Sequence, residues 1–292
     1  MNSLLKVFAL LWLTFCVFPS AHSDSQFLTP EEYRVYDQLK KQDCGIQKQG
    51  VNGGKDFVMS QPWMAYIYDE KNIQNCRCGG TLISESFVLT SAHCLAFCPS
   101  SSEFKVRLGE HSPTASKYCK QTICAPPVKH FSINESVFYD NFVYYQFGND
   151  IALLRLDRKV VFKDHIRPIC LPLTPDLQAI TSFMGQSYTA LKWMQTGKIP
   201  KETLVEEHVN TVQCSVDTHE SFLCTTENTE CRENSGGPLI WLGRYFGSTR
   251  HLIFGLASHG KGPCGNGQKA YYTDLPAFMP WILKTLAKFP TL

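Results

Sequence analysis

Short apolar runs separated by turn-forming residues constrain this chain more than any other feature. From Val51 onward, segments such as Phe87-Val88-Leu89-Thr90, Ile151-Ala152-Leu153-Leu154 and Leu252-Ile253-Phe254-Gly255-Leu256 are bounded by clusters of Gly, Pro, Ser and Asn. Runs this short, rich in aliphatic and aromatic side chains and cut by such punctuation, form strands. The pattern predicts an all-β body, without an internal repeat or a low-complexity tract. The last residues differ: Trp281, Ile282, Leu283, Leu286 and Phe289 fall at helical spacing and predict one amphipathic helix begun near Pro280.

The N-terminus carries a different signal. Lys6 precedes an apolar run from Val7 to Phe18, followed by Ala21-His22-Ser23, a small-x-small cleavage pattern. The run is shorter than the roughly 20 residues that a bilayer crossing needs. It reads as a secretory signal peptide over residues 1–23, which implies a secreted, extracellular protein and no membrane partner. Residues 24–50 are polar and charged, with Cys44 as their one cysteine, and hold too little apolar mass for a core. They read as a short pro-segment.

Cysteine usage agrees with export. Thirteen are present and Cys16 leaves with the signal, so an even number remains, as in a disulfide framework. No pair of C-x-x-C knuckles offers zinc spacing, so neither a metal nor another cofactor is expected. Asn134-Glu135-Ser136 is an acceptor sequence for N-glycosylation at Asn134. The formal net charge of +2 gives no electrostatic case for nucleic acid. Lys117, Lys120 and Lys129 read as a solvated loop.

Three motifs carry chemistry, in a fixed order: Thr90-Ser91-Ala92-His93-Cys94, then Asn149-Asp150-Ile151-Ala152-Leu153-Leu154, then Cys231-Arg232-Glu233-Asn234-Ser235-Gly236-Gly237-Pro238. A serine hydroxyl is a weak nucleophile and needs an adjacent base. His93 would be that base for Ser235, and Asp150 would fix its tautomer and stabilise the imidazolium.

In these motifs the chain resembles the chymotrypsin/trypsin-like serine proteases over residues 51–292. Gly79-Gly80-Thr81-Leu82-Ile83, Arg167-Pro168-Ile169-Cys170-Leu171-Pro172 and Ala270-Tyr271-Tyr272-Thr273 are further landmarks. It is most similar to insect haemolymph serine protease homologues related to clip-type proteases, although a clip domain is absent. The resemblance implies two six-stranded antiparallel β-barrels with the site between them and a C-terminal helix. It also implies disulfides Cys78–Cys94, Cys214–Cys224, Cys231–Cys264 and Cys44–Cys170. Cys76, Cys98, Cys119 and Cys124 can then pair in three ways; proximity favours Cys119–Cys124 and Cys76–Cys98. Ser258 resembles the family serine beside the buried aspartate. Glu110 matches one ligand of a family calcium loop, but no acid follows before Glu135, whereas oxygen-rich sites need several.

Departures from the family gather on one pathway. Its oxyanion hole uses backbone N–H groups at the serine and at a glycine two residues earlier; here those positions are Ser235 and Glu233. A Cβ restricts a position that favours glycine, and a carboxylate adds negative charge beside a developing oxyanion. Asn234 replaces the aspartate that receives the new N-terminal ammonium after activation. Val51-Asn52-Gly53-Gly54 resembles that new N-terminus, yet Gly50 stands where an Arg or Lys is usual. In the specificity pocket, implied to involve Thr229, Ser258, His259, Gly260 and Ala270, Thr229 is no aspartate, so an Arg or Lys preference is unsupported. The expectation is a monomeric homologue with a retained triad and absent or very weak catalysis. It would bind proteases, zymogens or their substrates in an extracellular cascade such as those of insect immunity. An active serine endopeptidase with atypical activation is the alternative.

Overall fold

The computed structural model describes residues 28–47, 60–73, 76–98, 103–115, 119–120, 123–144, 146, 148–196, 201–214, 222–226, 235–258, 269–290 and 292. Residues 1–23, expected to be a signal peptide, lie outside the described residues, as do Gly50, Val51, Thr229, Glu233, Asn234, His259, Gly260 and the two cysteines of the expected Cys231–Cys264 pair.

Two closed six-stranded antiparallel barrels make up the body, as the family resemblance implies, and the all-β pattern of the sequence agrees. The first is built from β1 (Met64–Asp69), β2 (Arg77–Leu82), β3 (Phe87–Thr90), β4 (Phe104–Leu108), β7 (Lys129–Phe138) and β8 (Ala152–Leu156), in the order β1-β2-β3-β8-β7-β4. Between β4 and β7 a two-stranded clip, β5 (Cys119–Lys120) and β6 (Ile123–Cys124), is closed by the Cys119–Cys124 disulfide. The second barrel uses β9 (Ser187–Thr196), β10 (Lys201–Val212), β11 (Phe222–Thr225), β12 (Pro238–Tyr245), β13 (Ser248–Ala257) and β14 (Ala270–Asp274). Closure removes the unpaired edges that open sheets must otherwise protect.

A linker stitches the barrels together. Ile169 N–H donates to Leu82 of the first barrel, while Cys170 exchanges backbone bonds with His251 and Ile253 of the second. Ile169, Cys170 and Leu171 are fully buried there.

The N-terminal segment does not build a core of its own; it joins that of the barrels. Helix α1 (Pro30–Lys41) opens on a capping box, in which Thr29 Oγ1 accepts from Glu32 N–H and Glu32 accepts from Thr29 N–H. This satisfies two of the donors that a helix start leaves orphaned. Val35 and Leu39, four residues apart and so on one face, are fully buried in one cluster with Ile282, Leu283 and Leu286. Those three belong to the C-terminal helix (Met279–Ala287), which follows Pro276 and contains Pro280 in its first turn. Arg34 caps the chain end by donating to the Phe289 and Pro290 carbonyls at 2.9 and 3.2 Å. Disulfide Cys44–Cys170 fixes the segment to the linker, and Gly45 bonds to Pro168 and His251. Gly45 has φ +64°, and a Cβ there would strike the His251 backbone, so this approach requires glycine.

Candidate active site

The pairing of β3 with β8 sets the site. Thr90 lies opposite Ala152, so the end of β3 and the start of β8 meet. Just past them, His93 opens a single helical turn (His93–Ala96) and Asp150 precedes β8. Asn149 turns the chain into Asp150 with φ +56°, a left-handed conformation that Asn tolerates better than most residues.

Asp150 is fully buried and surrounded by donors. Its Oδ1 accepts the His93 backbone N–H at 2.9 Å, and its Oδ2 lies 2.7 Å from His93 Nδ1. Ser258 Oγ donates to the same Oδ2, and Thr273 Oγ1 donates to the Asp150 carbonyl at 2.9 Å. A buried carboxylate can only accept, so Nδ1 carries a proton, and in the neutral ring the lone pair of His93 is left on Nε2. That is the form in which an imidazole takes a proton from a hydroxyl. His93 is 6% exposed and Asp150 0%, so solvent weakens this interaction little.

Ser235 arrives from the second barrel. Its carbonyl accepts the N–H of Gly79 at 2.8 Å, and Gly236 N–H donates to Ala257 at 2.8 Å. Gly236 has φ +77°, and a Cβ there would collide with the Gly79 carbonyl and the Thr90 hydroxyl and lie 3.3 Å from Cys94 Sγ. Only glycine lets the serine segment approach β2 this closely. Cys78–Cys94 links Gly79's neighbour to His93's neighbour. Ser91 Oγ adds a 2.7 Å bond across the barrels to the Ala257 carbonyl. The structure therefore brings the Ser235 segment, His93, Asp150 and Ser258 to one junction.

Ala270, by contrast, begins β14 opposite Thr225. Asn134 is exposed on β7, at a register shift between Ile133 and Glu135. Cys214–Cys224 and Cys76–Cys98 complete the disulfides found among the described residues. Glu110 is buried, with Oε1 accepting the N–H groups of His111 and Ser112, both at 2.9 Å.

Some contributors carry no role in the sequence reading. Ser91 and Thr273 stand inside quoted motifs, but their bonds to Ala257 and Asp150 depend on the docking of two barrels. Phe97 and Tyr144 lie outside those motifs. The Phe97 ring lies 5.5 Å from His93 and 4.9 Å, edge-on, from Tyr144, and both are substantially exposed. They form an apolar lip beside His93.

A His–Asp pair joined by its buried carboxylate, facing a serine segment at the junction of two barrels, coincides with a match of residues 51–282 to the family model described as Trypsin. The chain belongs to the trypsin family. Among its relatives, Serine protease grass of Drosophila melanogaster is 31% identical over 271 residues, covering 84% of this chain and 70% of that protein. CLIP domain-containing serine protease HP8 of Bombyx mori is 32% identical over 266 residues, covering 83% and 71%. The crystal structure of the Drosophila Grass clip serine protease of the Toll pathway superposes with a TM-score of 0.73 at 29% identity, covering 87% of this chain and 78% of that one. This member of the trypsin family thus resembles insect CLIP-domain serine proteases in both sequence and fold.

Proposed function

We propose that the chain is a secreted serine protease homologue that keeps the His93, Asp150 and Ser235 triad with catalysis lost or very weak. It acts by binding other proteins, whether proteases, zymogens or their substrates, in an extracellular protease cascade such as those of insect immunity. The observation that carries this reading is the coincidence of Glu233, Asn234 and Gly50 in one chain. Each touches a different step of one activation route: the oxyanion donor, the acceptor for a new N-terminal ammonium, and the cleavage signal. Losing one oxyanion donor alone costs on the order of 10²–10³ in turnover. Removing one partner of a buried ion pair costs about 3–5 kcal/mol. The likeness to a clip serine protease of the Toll pathway supports a cascade setting. Secretion is supported by the apolar N-terminal run and by five disulfides among the described residues. Asn134, exposed within its acceptor sequence, would carry an N-linked glycan.

A second reading, an active serine endopeptidase with atypical activation, is favoured by the intact bonding of His93, Asp150 and Ser258. A fluorophosphonate probe of Ser235 separates the two. The purified protein, with and without prior trypsin treatment, should label slowly and sub-stoichiometrically. Rapid stoichiometric labelling that disappears in Ser235→Ala would establish the endopeptidase instead.

A further inference from the structure

The ribbon formed by β12 and β13 runs on past the closed part of the second barrel. Its tip is the two-residue turn Phe246-Gly247, with φ +43° and +86°, closed by the pairing of Tyr245 with Ser248. Positive φ at both turn residues suits the right-handed twist of the strands. Bonded and non-bonded pairs alternate along an antiparallel ladder. From the turn inward, Tyr245, Gly243 and Trp241 therefore spend their N–H and C=O groups on β13, whereas Arg244 and Leu242 turn theirs outward.

The two outer edges of this ribbon differ. On the β13 side the edge is covered. His251 N–H donates to the Gly45 carbonyl at 3.0 Å, and Cys170 bonds to His251 and Ile253. On the β12 side, β9 pairs Ala190 with Leu239 and Thr189 with Ile240, and then leaves. The same register would bring Ser187 to Leu242 and Gly185 to Arg244. Thr211 of β10 draws the chain away instead, by bonding to Gly185 and Gln186. Among the described residues, nothing takes up the outward N–H and C=O groups of Leu242 and Arg244.

The side chains along this edge say what it can receive. Leu242 is 55% exposed, and Arg244 is exposed with no ion pair among the described residues. Residues 235–258 hold Arg244 and Arg250 and no acidic residue. Arg250 Nη1 reaches the neighbouring Thr249 carbonyl at 3.3 Å. Lys40 of α1 adds a third cation, with Nζ 4.7 Å from the centre of the Phe246 ring. Asp37, one turn before it, is bound to Lys41 at 2.6 Å. A second copy of this edge would bring another Arg244 close to the first, and like charges oppose strand pairing. A strand carrying carboxylates meets no such penalty.

We propose that the outer edge of β12 is a docking site for an extended acidic segment of a partner protein, which adds as a strand beside Leu242 and Arg244. Main-chain bonds give such a strand its hold, and side chains select it. A carboxylate pairs with Arg244, and an apolar residue covers Leu242. The site does not depend on whether Ser235 is reactive.

Fluorescence anisotropy on the full chain with disulfides intact tests this, using a fluorescein-labelled hexapeptide of alternating valine and glutamate. It should bind at least about tenfold more tightly than the same peptide with lysine in place of glutamate. N-methylation at its glutamates keeps every charge but removes backbone donors, and should also weaken binding by at least about tenfold. Arg244→Glu and Leu242→Pro should each cost about tenfold. Proline at Leu242 deletes an N–H that points away from β13, so the ribbon keeps its own ladder. Lys159→Ala, removing a cation of the first barrel, should change nothing. Equal binding of the methylated and unmethylated peptides overturns the proposal, since charge alone then holds the peptide. So does binding that survives both substitutions, because the peptide then sits elsewhere. Should Leu242→Pro fail to fold, the methylated peptide and Arg244→Glu decide.

Discussion

Ser258 donates its hydroxyl to the same Asp150 oxygen that lies 2.7 Å from His93 Nδ1. One fully buried oxygen thus serves two barrels, with β3 leading to one donor and β13 to the other. Asp150→Asn puts an amide where a carboxylate accepts from the His93 backbone, the His93 ring and Ser258. The charge-assisted bonds to the carboxylate are lost and the His93 ring must change tautomer to accept from the amide, at a cost of about 1–3 kcal/mol. Urea unfolding should show that loss. The downfield proton resonance of the His93 ring should also disappear, whatever the state of catalysis.

Repair of the departures is a second expectation. Gly50→Arg, Glu233→Gly and Asn234→Asp together restore a cleavage signal, an oxyanion donor position and an ammonium acceptor. Fluorophosphonate labelling of Ser235 after trypsin treatment should rise by on the order of 10²-fold or more over the parent. A triple variant that labels no faster than the parent would remove these three residues as the cause of the proposed impairment.

Gly236 holds the serine segment against β2 at φ +77°. Gly236→Ala strains the backbone and drives a methyl group into the Gly79 carbonyl and the Thr90 hydroxyl. Destabilisation of about 2 kcal/mol or more is expected, read as a lower urea midpoint. Gly185, with φ +76° and open space around it, provides the contrast. Alanine there should cost only the backbone strain.

Burial raises the Asp274 carboxyl from its ordinary value to about 6, against a hydrogen bond from Thr181 that works to lower it. The folded state holds this proton more tightly than the unfolded chain does. Stability contributed by Asp274 is therefore present at low pH and is lost as pH rises through about 4 to 6. Asp274→Asn should stabilise the protein at pH values above this window, by on the order of 1–3 kcal/mol, and flatten the pH dependence within it. Thermal unfolding on both sides of the window checks the sign. Greater stability of the parent at neutral pH would contradict it.

Leu39 lies in the N-terminal segment yet is fully buried against the C-terminal helix. Leu39→Ala should cost about 2–5 kcal/mol, as for other core truncations. The same loss should appear after the backbone is cut near residue 48, because Cys44–Cys170 keeps the helix in place. If cutting abolishes the effect of the substitution, the helix is held by chain continuity rather than by packing.

What the sequence made legible follows from the range of the interactions involved. Strands such as Phe87–Thr90 and Leu252–Leu256 were readable because their apolar runs are local. The His93, Asp150 and Ser235 motifs were readable because each occupies a few consecutive residues. Helix α1 carries a local start signal in Thr29, Pro30 and Glu32, but its partner, the helix at Met279–Ala287, lies some 240 residues away. Nothing near Val35 or Leu39 points there. The bond from Ser91 to the Ala257 carbonyl is harder still, because it acquires meaning only after the two barrels dock.

The anchoring of α1 also bears on handling the molecule. Arg34 donates to the carbonyls of Phe289 and Pro290, so residues near both ends of the described chain sit side by side. A label joined before Thr29 and another joined after Leu292 would emerge on the same face. Energy transfer between two such labels should report whether the N-terminal helix stays docked while a partner binds elsewhere.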